Sequence, residues 1–329
     1  MAKSVFSKVD EYGFERSENF NYDVYDEFMS EYIRVLTRRA QRWNTLKNDI
    51  FNRPAVLKRF IRKGIPSDLR STVWMRVSGG ENLKNNSPYT YNNLREKIRE
   101  QHIIDMIQID LPRTFPENIY FSNNEHLPKM LFNVLATFAH QNKEVGYCQG
   151  LNYIAGLLLL ATKNEEVSFW LLKALVETIL PQYYIVTMKG LLVDLDVLDE
   201  LVRKLEPVVH RHIHNIGMPW AMGTTKWFIC LYSEVLPAET VFRIWDCLFS
   251  EGSKIIFRVA ITLIRLHKEK ILQTKELGEL IGCFRDMKNH ESVINCHKFM
   301  QEVFKLSGNL SNTTVRRLRY QYNIQDKDK

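Results

Sequence analysis

Asp110 and Arg113 stand three residues apart in Ile107-Gln108-Ile109-Asp110-Leu111-Pro112-Arg113-Thr114-Phe115-Pro116, a turn stiffened by two prolines and bracketed by apolar residues. A carboxylate at that spacing holds a neighbouring guanidinium in one rotamer, so less side-chain freedom is lost when the guanidinium binds. A second segment, Gly146-Tyr147-Cys148-Gln149-Gly150-Leu151-Asn152, sets a glutamine between an aromatic ring and a glycine at a helix start. There its amide is presentable to something outside the protein. Each segment also has a plain structural explanation, a buried ion pair for the first and a polar helix cap for the second. Singly, those explanations prevail. Together and in this order, the two segments form a much stronger signal.

Other catalytic patterns are absent. The chain has no G-x-x-x-x-G-K-[ST], G-x-G-x-x-G, H-E-x-x-H or G-x-S-x-G, and so no nucleotide cradle or hydrolytic nucleophile of its own. The feature most like a metal site is His210-Arg211-His212-Ile213-His214. On a helix only His210 and His214 share a side, and a surface or capping cluster is expected there rather than an ion.

Composition narrows the partners. Hydrophobic residues at 45% and charged residues at 25% make an ordinary globular balance. The net charge of +7 invites a nucleic-acid reading, but the dense basic clusters are confined to Arg34, Arg38, Arg39, Arg42 and to Arg316, Arg317, Arg319. The first has the spacing of a solvated helix face, and no nucleic-acid signature accompanies either. Five cysteines (Cys148, Cys230, Cys247, Cys283, Cys296) contain no C-x-x-C pair and point to a reducing, cytoplasmic setting. Residues 1–10 lack the apolar core of a secretory signal, Ala2 replaces the glycine of a myristoylation site, and 325–329 offer no prenylation cysteine. The most apolar run, 154–161, falls well short of the ~18–20 residues of a membrane span. No transmembrane segment is expected, at most a peripheral membrane approach.

The elements that must position these segments read as helices. Gly (14) and Pro (10) are scarcer than the usual ~7% and ~5%, which disfavours a many-stranded fold. Tyr25, Phe28, Tyr32, Leu36 and Trp43 recur at helical spacing over 23–48. The break at Gly64-Ile65-Pro66 offers Ser67 or Asp68 as N-cap of a helix through Trp74 that stops at Gly79-Gly80. Then 81–93 reads as a polar loop, 94–106 as a short helix and 107–116 as an irregular extended path. Helices follow over 126–141, 152–162, 165–180, 191–214, 224–236, 238–249, 253–272, 275–287 and 291–306, punctuated by Pro181, Gly217, Pro219, Pro237 and Gly252. Trp74, Trp170, Trp227 and Trp245 fall in core positions, whereas Trp220, after Pro219, suits either the core or a partner surface. The fold class is all-α, compact and multi-helical, without a repeat of fixed period.

These segments resemble the TBC-domain family of GTPase-activating proteins for Rab GTPases. Ile107, Asp110 and Arg113 match its I-x-x-D-x-x-R motif, Tyr147, Gln149 and Gly150 its Y-x-Q-G motif, and Arg70 and Trp74 its upstream R-x-x-x-W motif. Lys226-Trp227-Phe228 and Arg243-Ile244-Trp245-Asp246-Cys247-Leu248-Phe249-Ser250-Glu251-Gly252 resemble further family blocks. The match spans 61–272, with a helical extension over 1–60 and a C-terminal helical segment over 273–329. The one departure is Leu151, where the family often has Met, a swap that conserves volume.

The resemblance implies an activator that supplies catalytic side chains in trans to a GTP-bound Rab and has no substrate pocket of its own. Arg113 would be an arginine finger and Gln149 a glutamine finger that orients the attacking water. Asp110 would orient Arg113, and Tyr147 and Gly150 would let Gln149 reach forward. Arg70 suits either a structural link or a contact to the GTPase. No cofactor or metal of its own is expected, since GTP and Mg²⁺ would come with the partner. The alternative is a Rab-binding adaptor with weak activity, against which the intact Arg113 and Gln149 speak.

Overall fold

The computed structural model describes residues 8–16, 18, 20–97, 100–122, 126–287 and 290–325. The terminal residues on which the secretory, myristoylation and prenylation expectations rest lie largely outside these. The described residues form helices and turns, with isolated bridges Val9–Glu15 and Phe14–Asn118 in place of any strand. They divide into two compact units, 1–174 and 175–329.

The first unit comprises α1 (Tyr22–Leu46), α2 (Pro54–Lys63), α3 (Ser67–Ser78), α4 (Gly80–Asn85), α5 (Tyr91–Arg95), α6 (Gln101–Asp110), α7 (Ile119–Ser122), α8 (His126–Gln141), α9 (Leu151–Thr162) and α10 (Glu165–Ala174). Its centre is α9, apolar around its whole circumference, as a helix enclosed by neighbours must be. Leu151, Ile154, Leu157 and Leu158 are fully buried there, against α3, α8 and α10. Leu131, Val134, Leu135 and Phe138 of α8 follow helical spacing and are buried. On α1 the long amphipathic pattern turns inward at Tyr32 and Trp43, whose indole N–H donates to the carbonyl of Gly64 at 3.0 Å.

Parts of this unit differ from expectation. Pro66 rather than Ser67 or Asp68 occupies the cap of α3, leaving Asp68 in the first turn where the helix dipole favours a negative charge. Within 81–93, read as a loop, α4 forms and α5 begins, because Tyr91 and Leu94, three apart, are buried and Thr90 caps α5 by accepting from the Asn93 amide.

The second unit comprises a π-helical turn (Leu175–Ile179) and then α11 (Lys189–Leu205), α12 (Pro207–Ile216), α13 (Trp220–Ile229), α14 (Ala238–Glu251), α15 (Lys254–Leu266), α16 (Lys268–Gln273), α17 (Leu277–Asp286), α18 (Glu291–Ile294), α19 (Cys296–Leu306) and α20 (Asn312–Gln325). α15 is enclosed along nearly its whole length, with α14 and α19 against it. The expected helix over 191–214 breaks at Glu206, since Pro207 has no N–H to donate and is better suited to the first turn of α12. The helix read over 224–236 starts at Trp220 and stops at Ile229. Beyond it Leu231 and Tyr232 adopt positive φ of 49° and 66°, and the buried Tyr232 hydroxyl donates to the carbonyl of Ile256 at 2.8 Å. Trp227 lies 5.4 Å from Phe284 in a stacked pair, and Trp245 donates its indole N–H to Leu231. Among the described residues no helix is long and apolar enough to cross a membrane.

Candidate functional site

The path expected to be extended over 107–116 is a helix end followed by a tight turn. α6 runs through Asp110, and the Leu111 amide closes onto the Ile107 carbonyl. Pro112 cannot supply the next amide, and the Thr114 hydroxyl instead donates to the Asp110 carbonyl at 2.7 Å. Phe115 follows with φ 52°, a conformation uncommon for a bulky residue. It is held there by burial among Phe14, Phe121 and Tyr153, with ring centroids 5.2, 5.8 and 5.4 Å away. α9 makes room at Gly156, where a Cβ would stand 3.0 Å from the Phe115 ring. The residue two positions before this anchor is Arg113, and nearly half of its side chain (47%) is open to solvent.

The Asp110 carboxylate is almost fully buried and pairs with Arg113 Nη2, while the Tyr147 hydroxyl donates to its other oxygen. One acid therefore joins the arginine turn to the segment before α9. Burial, then the hydrogen bond to Asp110, pushes the Tyr147 phenol well above its ordinary range and keeps it a donor. Burial and the Asp110 charge push the Cys148 thiol up to about 11, so it stays protonated and unreactive at neutral pH. Gln149 is exposed, two residues after the phenol that touches Asp110. Gly150 adopts φ 109°, which a side-chain-bearing residue rarely does, and this lets α9 begin at once while Gln149 stays outside.

The other residues of the motifs lie deeper. Trp74 is fully buried in the core of the first unit. Arg70 is buried on α3 and donates to the Tyr12 hydroxyl at 2.9 Å, a link to the segment that bridges onto Asn118. Three contributors carried no signal in the sequence of their own. Asn152 is fully buried between the two segments, Thr114 closes the helix end, and the Tyr153 hydroxyl donates to the Arg113 carbonyl at 3.3 Å. Asn152 sits directly behind the Y-x-Q-G residues, and its proximity was the one available hint.

In the second unit the histidine cluster is structural in its contacts. His210 Nε2 lies 2.7 Å from Asp199, which also accepts from the Trp220 indole at 2.5 Å, and the His210 and His214 rings stack at 6.5 Å. Trp220 is half-buried by this bond. A cleft of about 550 Å³ opens beside these residues and Leu192, Met218 and Pro219. Among the described residues no group of three metal-binding side chains comes together.

Arg113 and Gln149 thus occupy a surface organised around one buried carboxylate, and the fold around that surface has relatives. The Rab-GTPase-TBC domain model matches residues 67–272. The chain belongs to that family. It is 46% identical to growth hormone-regulated TBC protein 1-A of Danio rerio over 97% of this chain and 90% of the relative. The corresponding figures for growth hormone-regulated TBC protein 1 of Homo sapiens are 46%, 96% and 95%. Among solved structures, the Chlamydomonas flagellar RabGAP TBC domain superposes with a TM-score of 0.75 at 32% identity, covering 92% of this chain and 99% of that one. The Ypt/Rab-GAP domain of Gyp1p, at 20% identity and a TM-score of 0.69 over 83% and 98%, shares the fold. As a TBC protein the chain is all-α, in agreement with the expectation from its sequence.

Proposed function

We propose that this TBC protein stimulates GTP hydrolysis on a GTP-bound Rab-family GTPase, with Arg113 as arginine finger and Gln149 as glutamine finger. The observation that carries the reading is the buried Asp110, which grips the half-exposed Arg113 on one side and Tyr147, two residues before the exposed Gln149, on the other. GTP hydrolysis spreads negative charge over the γ-phosphoryl and leaving oxygens. A guanidinium inserted from outside stabilises that charge more than the ground state, an effect of ~10³–10⁵ in rate, or ~4–7 kcal/mol of barrier. Asp110 holds Arg113 in a limited set of rotamers, so insertion orders little that is not already ordered. The Gln149 amide both donates and accepts, which suits it to bridge the attacking water and a phosphate oxygen. GTP and Mg²⁺ are carried by the partner, and this chain needs no cofactor.

The test is phosphate release from a panel of purified GTP-loaded Rab GTPases, with and without the protein. Stimulation of at least one Rab is expected, and Gln149→Ala should impair turnover to an extent set by the Rab's own glutamine. The isolated chain should bind GTP negligibly. A panel without stimulation, or micromolar GTP binding by this chain alone, would overturn the reading.

A further inference from the structure

We propose that Asn152, through Thr114, is a positioning residue that fixes the arginine turn and the glutamine segment relative to each other. The inference rests on the two-finger reading above and concerns what keeps the fingers in register.

The Asn152 side chain is fully buried and its amide is spent on the two segments at once. Its Nδ2 donates to the Thr114 Oγ1 at 2.8 Å, and its Oδ1 accepts from the Gly150 amide at 3.0 Å. Thr114 in turn donates to the Asp110 carbonyl at 2.7 Å. The path therefore runs from the last residue of α6, through a hydroxyl and a carboxamide, to the amide next to Gln149. Each group along it has a direction: a hydroxyl that gives and receives, and a carboxamide that offers one end of each kind. This buried chain reaches Asp110 at its carbonyl and the Tyr147 contact reaches it at its carboxylate, so the Gln149 segment is tied through the backbone as well as through the side chain. A single tie would leave the Gln149 segment free to pivot about the Tyr147 hydroxyl. Two ties remove that pivot. Neither Asn152 nor Thr114 is exposed, and a contact with the GTPase is not the role assigned to them.

A displacement of about 1 Å at a catalytic group can cost ~10²-fold in rate. Asn152→Ala and Thr114→Val are therefore expected to lower the kcat of activated GTP hydrolysis by about ten- to hundredfold, with KM for the Rab within about twofold, because the recognition surface is untouched. Thr114→Ser keeps the hydroxyl and should restore wild-type kcat. The double variant should be no worse than the poorer single one, since both cut the same path. Thermal melting identifies any variant that has merely lost its fold. Thr114→Val is the more conservative, and it decides if Asn152→Ala fails to fold.

Hydrogen exchange supplies a readout independent of activity. In Thr114→Val, exchange should quicken in peptides carrying the Gly150 amide while those within α8 keep the wild-type rate. Unchanged exchange at Gly150, a Thr114→Ser variant as slow as Thr114→Val, or multiplying effects in the double variant would each overturn the inference. If the wild-type protein activates no Rab while Thr114→Val still quickens exchange at Gly150, the tie stands and the two-finger reading falls.

Discussion

Each unit of the molecule contains the same chemical trio, an aspartate gripped by an arginine and a tyrosine, and the two trios are built to opposite ends. In the second unit the Asp194 carboxylate is fully buried, and Arg319 of α20 forks across it with Nε at 2.7 Å and Nη2 at 2.6 Å while the Tyr183 hydroxyl adds a third bond. One whole edge of the guanidinium is committed, and the arginine docks α20 onto α11. In the first unit Asp110 is almost as buried, but Arg113 meets it through one terminal nitrogen, and about half of that side chain remains open. A bidentate buried pair is a clamp. A one-point pair on a half-exposed arginine restrains a side chain that still has a charge to deliver. Burial of the carboxylate is common to both, and what separates structure from chemistry is how much of the guanidinium it consumes.

Four measurements would break or sharpen that contrast. The largest effect is expected from Arg113→Ala, which should lower activated GTP hydrolysis by at least ~10²-fold while leaving the fold intact, since Tyr147 still donates to Asp110 and the lost guanidinium was half in water. Stimulated rates equal to wild type would make Arg113 a structural arginine after all. Arg319→Ala should do the reverse. Removing one partner of a buried pair leaves Asp194 uncompensated, and urea unfolding should register a loss of roughly 3–5 kcal/mol, whereas the rate per folded molecule should stay within about twofold. The tyrosines give a smaller version of the same crossing. Tyr147→Phe removes a hydrogen bond to the finger's aspartate and should reduce kcat by roughly tenfold, and Tyr183→Phe should appear in stability, by about 1–3 kcal/mol.

Acid supplies the weakest lever, and it acts on the second unit. His267 is buried at the break between α15 and α16, its Nδ1 donating to the Leu263 carbonyl at 2.8 Å and its ring 4.7 Å from His290. Burial, above all, holds both imidazoles below the ordinary 6.5, with Lys270 also disfavouring their charge and Glu291 opposing this for His290. The folded state therefore binds fewer protons than the unfolded chain once the pH drops under about 6.5. Stability is level above that pH and declines as the pH falls through 6.5 towards the lower folded values. A melting series from pH 7.5 to 5.5 should show the decline, and His267→Asn, which retains a donor for Leu263, should flatten it. A variant with an unaltered slope would assign the decline elsewhere.

Much of the architecture was legible because helices write their own periodicity. The bounds that periodicity gives for the 126–141 helix are those of α8, and Trp74, Trp170, Trp227 and Trp245 are buried where spacing puts them. The errors share one cause, which is that a local pattern says nothing about what lies opposite. Tyr91 looked like part of a polar loop because Phe169, 5.1 Å from its ring, is distant in sequence. The helix read through 206 ignored that Pro207 can start a helix as well as end one.

The site divides along the same line. Residue type and spacing were enough to single out Asp110 with Arg113 and Tyr147 with Gln149, because a carboxylate three residues from a guanidinium and a glutamine set before a glycine are short-range facts of the chain. That one carboxylate should serve both segments, that Asn152 should tie Thr114 to Gly150, and that Asp194 should be consumed by an arginine 125 residues away were decided by folding alone. Such contacts are chosen by which surfaces burial brings face to face, and the free energy of burial depends on area and fit, with no memory of distance along the chain.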